Sequence, residues 1–198
     1  DINSFFPLNA LTRAQEQGRI REISNRYYGA PTNRSQATTI NQDCLALTDF
    51  IKQDEVDVVL LVPNWPVCHQ TVSLIARHLE NQGLPTVIAG SAKDIVEHCG
   101  VPRFLFTDFP LGNSAGKPND LESQNNTLDL ALELLESARA PRTTVQSPQT
   151  WSSTDEWKLD FQNVDRIPTD ELEKRRQEFD KIKSIGQKVR DETLGNQP

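Results

Sequence analysis

The chain has 198 residues with 28 acidic against 21 basic side chains, a net charge of -7 that supplies no basic stripe for neutralising phosphates and argues against a nucleic-acid partner. That length admits one domain of ordinary size plus an appendage, and no apolar run approaches the roughly 20 residues that a membrane-spanning helix needs. The three cysteines, Cys44, Cys68 and Cys99, are odd in number and widely spaced, a poor disulfide framework that suits a reducing, cytoplasmic compartment.

Leu8 to Gly18 reads as a short helix closed by glycine, and Ile20 to Ile23 as a short strand before a polar loop through Tyr27, Tyr28, Gly29 and Pro31. From Asn41 to Gln53 the apolar positions Cys44, Leu47 and Ile51 recur at helical spacing, widened by Leu45. Val56 to Val62 is nearly continuous and β-branched, the pattern of a strand buried on both faces in a parallel sheet. Val72, Ile75, Ala76 and Leu79 mark the next helix, which ends near Gly83. Leu84 to Ala89 is a strand, Ala92 to His98 a short helix stopped by Gly100, and Arg103 to Thr107 a further strand. Leu128, Ala131, Leu132 and Leu135 place a helix from about Leu121 to Ala138.

Strands alternating with helices over short connections signal βαβ units with right-handed crossovers. Residues 1–140 are therefore expected to form an α/β, Rossmann-like three-layer domain with a mainly parallel sheet. Residues 141–168 are polar yet carry Trp151 and Trp157, which suggests an extended arm lying on another surface. Thr169 then caps a charged C-terminal helix in residues 169–198, whose thin apolar stripe is Leu172, Phe179, Ile182, Ile185 and Val189.

The candidate chemical centre is the turn Val62-Pro63-Asn64-Trp65-Pro66-Val67-Cys68-His69-Gln70-Thr71. It follows a strand and opens a helix, and ligands of open α/β sheets sit at the carboxyl ends of strands. Pro66 favours the first helical turn, where free N–H groups and the helix dipole stabilise a thiolate on Cys68. His69 stands beside it as a hydrogen-bond donor or proton shuttle, and Thr71 as a cap or ligand contact. The alternative is a buried structural cysteine. A second feature is the loop Asp108-Phe109-Pro110-Leu111-Gly112-Asn113-Ser114-Ala115-Gly116-Lys117-Pro118-Asn119-Asp120, where Gly112 and Gly116 permit close approach of backbone to a ligand. It is either part of the site or a plain surface loop. Its spacing fits neither a P-loop nor a dinucleotide fingerprint, which disfavours a nucleotide-binding regulator. His78 and His98 read as helix-surface residues, and no His/Cys/Asp cluster has metal-site spacing.

These blocks resemble the selenoprotein B family of the glycine, sarcosine, betaine and D-proline reductases, and the small-subunit-like proteins of D-proline reductase most of all. The resemblance rests on Val58 to Thr71, Ile75 to Glu80, Gly83 to Val87, Pro102-Arg103, Phe109 to Asn119 and Gln124, with Asp1 to Pro7 and Gly18 to Gly29 upstream. It covers about residues 1–140 and leaves out the arm and last helix. It implies a redox centre of the form Sec-x-x-Cys or Cys-x-x-Cys, in which the first chalcogen attacks a small amino-acid-derived substrate, a C–N bond is cleaved reductively, and the downstream Cys resolves the intermediate. Cys68 falls at the resolving position and Trp65 at the nucleophile position. Trp is encoded by UGG and Sec by UGA, a single base apart. With Trp at 65 the local dithiol cycle cannot run, so Cys68 acts alone or the chain is a non-catalytic or repurposed binding subunit.

The resemblance also implies candidate substrate contacts at Asn64, Thr71, Gly112, Asn113 and Gly116. It implies a homo- or hetero-oligomer, with a partner subunit bearing a pyruvoyl group as the one cofactor it brings to mind. The sequence opens on Asp1 and contains no Met, so an N-terminal segment, in the same precursor or on a separate chain, is expected to complete the sheet.

Overall fold

The computed structural model describes residues 1–32, 34–160, 163, 165, 167–174, 176–178, 180, 181 and 184. They divide into two compact units, Asp1–Ser153 and Thr154 onward.

The first unit is built on four parallel strands in the order β1 (Val59–Leu61), β2 (Thr86–Gly90), β3 (Arg103–Phe106) and β4 (Thr143–Gln146). Period-2 alternation of side chains gives the sheet two apolar faces. On one face Leu61, Ile88, Phe104 and Phe106 meet Val72 and Ala76 of α4 (Pro66–Asn81) and Val96 of α5 (Lys93–Cys99). Beyond α4, Cys44 and Ile51 of α3 (Cys44–Gln53) pack on Ile75 and Leu79. On the opposite face Leu60, Val87, Ala89 and Leu105 receive Ala131 and Leu134 of α6 (Leu121–Ser137), and Ala10 and Ala14 of α1 (Leu8–Glu16) close on Leu128. Helices cover both faces of a parallel sheet, which is the three-layer α/β arrangement expected from the sequence. Helix α3 is entered through a short turn, α2 (Gln36–Thr38), and a π-helical turn, Thr39–Asp43, so the predicted helix begins earlier than Asn41.

Four expectations are corrected. Ile20 to Ile23 makes no strand: Ile20 packs beside α1 and α6, and flanking charges anchor the segment instead, with Arg19 forking onto Glu136 at 3.2 Å through both of its donors. The apolar run at Val56 to Val62 yields a three-residue edge strand whose residues are half-buried, and Val58 is exposed. Residues 143–146 leave the expected arm to join the sheet beside β3, and Trp151 then packs on Phe109 with ring centroids 5.6 Å apart. Finally, the crossovers do not share one hand. The strand order advances steadily from β1 to β4, yet α4 and α5 lie on one face and α6 on the other. The β3–α6–β4 crossover therefore has the opposite hand to the two before it, against the usual right-handed rule.

In the second unit α7 (Glu156–Asp160) carries Trp157 under the Lys158 ammonium, 5.5 Å from the ring centroid. Residues 169–174 and 176–178 are helical. Thr169 lies inside that helix instead of capping it, and the Leu172 N–H donates to the Pro168 carbonyl at 2.9 Å. Phe179, Ile182, Ile185 and Val189, the rest of the predicted stripe, lie outside the described residues.

Candidate functional site

Strand β1 delivers the chain to Pro63 and Asn64, and Trp65 is the extended N-cap residue of α4 at φ -118, ψ 167. Pro66 takes the first helical position because its fixed φ suits the helix and its missing N–H costs nothing there. Trp65 has no side-chain oxygen with which to cap, and its indole is 54% exposed. Cys68 sits in this uncapped first turn, a free and partly exposed thiol with no hydrogen-bond partner among the described residues. It is neither sealed in the core like Cys44 nor fully exposed. A small apolar cavity is lined by Pro7, Leu60, Val62, Ala115, Thr127 and Leu128, and Cys68 is not among its lining residues.

His69 belongs to the frame. It is fully buried, its Nδ1–H donates to the Trp65 carbonyl at 2.8 Å, and Nε2 accepts the Ser91 and Ala92 N–H groups at 3.0 and 3.1 Å. Two N–H donors on Nε2 require that nitrogen to be bare, which fixes the tautomer. Burial lowers the imidazole pKa below its ordinary value, while the Trp65 carbonyl and then Asp94 oppose the shift. With both nitrogens committed, this arrangement leaves none for shuttling a proton to a ligand. Thr71 is likewise buried inside α4.

The second block arrives by crossing the carboxyl ends of the strands. The Gly112 N–H donates to the Asn64 carbonyl at 3.0 Å, and the Ser114 hydroxyl to the Pro63 carbonyl at 2.6 Å. The loop expected to flank the Cys68 turn thus lies against it. Asn64 is partly exposed with a buried Oδ1 that has no partner, and the Asn113 amide donates to the Pro110 carbonyl at 3.3 Å. Around Gly112, at φ +92, a Cβ would meet nothing within 4 Å, so the loop is open there. Gly116 is glycine for a different reason than the expected ligand approach: at φ +133 its Cβ would fall 2.7 Å from the Cα of Gln124. Gln124, also buried, donates through Nε2 to the Asp1 carboxylate at 2.7 Å and to the Lys117 carbonyl at 2.8 Å.

Sequence reasoning missed a hydroxyl cluster at the same end of the sheet. Ser91 Oγ lies 3.3 Å from Thr107 Oγ1 and 3.5 Å from Ser114 Oγ. Ser91 and Thr107 each directly follow a strand, a position that could have marked them. Cys99 is partly buried and burial pushes its thiol pKa up; Cys44 is buried and its thiol is pushed up to about 11. Among the described residues no group of three His, Cys, Asp or Glu side chains could hold a metal ion, and no helix is long and apolar enough to cross a membrane.

Fold and site together define an α/β domain with a partly exposed cysteine, Cys68, at a strand-to-helix turn. No protein-family profile and no solved structure matches the chain. Two curated proteins do. D-proline reductase subunit gamma of Acetoanaerobium sticklandii is 27% identical over 125 residues, covering 63% of this chain and 52% of that protein. Glycine reductase complex component B subunit gamma of Carboxydothermus hydrogenoformans is 26% identical over 153 residues, covering 76% of this chain and 34% of that protein. The chain is a relative of these reductase subunits, as the motif blocks indicated, and spans about half the length of the first and a third of the second.

Proposed function

We propose that this chain is a reductase subunit in which the Cys68 thiol carries out reductive cleavage of a C–N, or related C–heteroatom, bond in a small amino-acid-derived substrate. The observation that supports it most is the accessible, partnerless sulfur in the uncapped first turn of α4. The Cys68 thiolate attacks the substrate carbon, an S–C bond forms, and the C–N pair leaves on nitrogen, which takes up a proton. A second thiol, from a partner chain or a soluble dithiol, then attacks the Cys68 sulfur. The carbon departs with the S–C electron pair and gains a proton, and the two sulfurs end as a disulfide. Asn64, the open backbone at Gly112 and Asn113 are the substrate contacts in this reading, within a cytoplasmic hetero-oligomer whose other subunit supplies any pyruvoyl group.

The test is turnover of D-proline or glycine with dithiothreitol by the chain alone and with its complex partners. Full turnover by Cys68→Ser rejects the assignment.

A second reading, a non-catalytic subunit, is favoured by Trp65 at the position where the family places its nucleophile. The indole makes no cap and stands in solvent, so nothing in the local structure asks for Trp there. Reading codon 65 in the gene separates a UGA selenocysteine codon from a genuine UGG. Trp65→Cys, which builds a Cys-x-x-Cys turn, is expected to raise turnover at least about tenfold if the site is otherwise intact.

A further inference from the structure

We infer that His69 is a positioning residue, a neutral imidazole latch that ties the start of α4 to the end of β2 and so fixes the turn bearing Cys68. The ring bridges two segments, bonding the Trp65 carbonyl on one side and the Ser91 and Ala92 N–H groups on the other. Its seat is tailored to it. A Cβ on Gly90 would sit 3.0 Å from both Cδ2 and Nε2 of the ring, so β2 ends in glycine where the imidazole passes. Ser91 in turn carries the hydroxyl that meets Thr107 and Ser114, and Ser114 holds the Pro63 carbonyl just ahead of Asn64. One ring therefore sets the Cys68 turn against the oxygen-lined floor beside it.

The latch is closed only while Nε2 is bare. Protonation turns that acceptor into a donor facing two backbone donors, and the contact becomes repulsive. Two groups act on the ring's charge: the Trp65 carbonyl from the start of α4, and from α5 the Asp94 carboxylate, which favours protonation; the uncharged Phe104 of β3 lies at the same glycine seat. Burial outweighs Asp94 and keeps the folded-state pKa below 6.5. The latch is thus fully closed above that value and opens as pH falls through the lowered folded-state pKa.

Its role in catalysis rests on the Cys68 reading, whereas its geometry does not, and the experiment separates the two. In the 15N-labelled full chain at pH 7, the Ser91 and Ala92 amides should exchange with solvent at least about tenfold more slowly than in His69→Leu. Ring 15N shifts should show hydrogen on Nδ1 and none on Nε2. His69→Gln, whose side-chain oxygen can still accept from those amides, should restore most of the protection and keep Cys68 alkylation within about twofold of wild type. Corrected for intrinsic exchange, acidification carried on until the ring 15N shifts report protonation of His69 should expose the two amides in wild type and spare them in His69→Gln. Hydrogen on Nε2, or unchanged exchange in His69→Leu, overturns the latch. If His69→Leu fails to fold, the ring tautomer and the wild-type against Gln acid comparison decide. Protected amides without turnover on any substrate sink the Cys68 chemistry and leave the latch standing.

Discussion

Cys44 and Cys68 lie on neighbouring helices on the same side of the sheet, near the beginning of α3 and of α4, and their thiols are opposites. Cys44 follows a π-helical turn, so the helix runs on before it and its sulfur is sealed among Ile51, Ile75 and Leu79. Burial raises its pKa to about 11. Cys68 follows a strand, an extended Trp and a Pro, so it occupies a true chain start with unclaimed N–H groups and a path to solvent. What makes a thiol available here is the abrupt change from strand to helix; nearness to the first residue of an assigned helix is not enough.

That contrast can be broken in three ways, the largest effect first. Cys68→Ser should lower turnover at least about a thousandfold, whereas Cys44→Ala should leave it near wild type once folding is checked; equal losses erase the distinction. Iodoacetamide mass mapping of the native chain at about pH 8 should label Cys68 at least about a hundredfold faster than Cys44, because a thiol with a pKa near 11 holds only about a thousandth of its population as thiolate. Cys44→Ser should cost about 1–3 kcal/mol in urea unfolding by placing a hydroxyl in the apolar cluster, against about nothing for Cys68→Ser at its partly exposed site.

A smaller effect, outside that pair, concerns Asp54 at the end of α3, where Arg26 and Tyr28 reach it. Hydrogen bonds from Arg26 first, then Tyr28, hold the Asp54 carboxyl below its ordinary pKa. A depressed carboxylate stabilises the fold above its unfolded pKa, near 3.8, and that contribution is lost as pH falls through the folded value. Thermal unfolding of wild type should therefore drop more steeply than that of Asp54→Asn below about pH 4.

Much of the first unit was legible because its strands and helices carry unambiguous periods. The strand read at Leu84 to Ala89 is the fully buried Thr86–Gly90, and α4 and α6 show their stripes plainly. The exposure of Cys68 followed from Pro66 and the strand before it. Less legible were features decided by distant partners. β4 is a polar Thr-Thr-Val-Gln segment, recognisable as a strand only through its pairing with Arg103–Phe106. The length of β1 was overread because an edge strand can be as apolar as a central one when helices cover its faces. His69 was misjudged for the same reason: adjacency to Cys68 in sequence suggested a shared task, but successive helical residues point about 100° apart, and the ring turns inward to Ser91 and Ala92. Gly116 looked like a ligand contact until Gln124 supplied its true neighbour.

The reversed hand of the β3–α6–β4 passage bears on how the molecule assembles. An ordinary βαβ repeat can form from consecutive segments, but here the 107–120 loop must return across the strand ends toward β1 before α6 docks, and β4 must then come back to the far edge. Long-range closures of this kind are slow to form. In native-state exchange the amides of residues 143–146 should lose protection well before those of 86–90. Earlier exchange there than in β2 would mark β4 as the edge that opens first, and with it the end of the passage through α6 and the loop that braces the thiol-bearing turn.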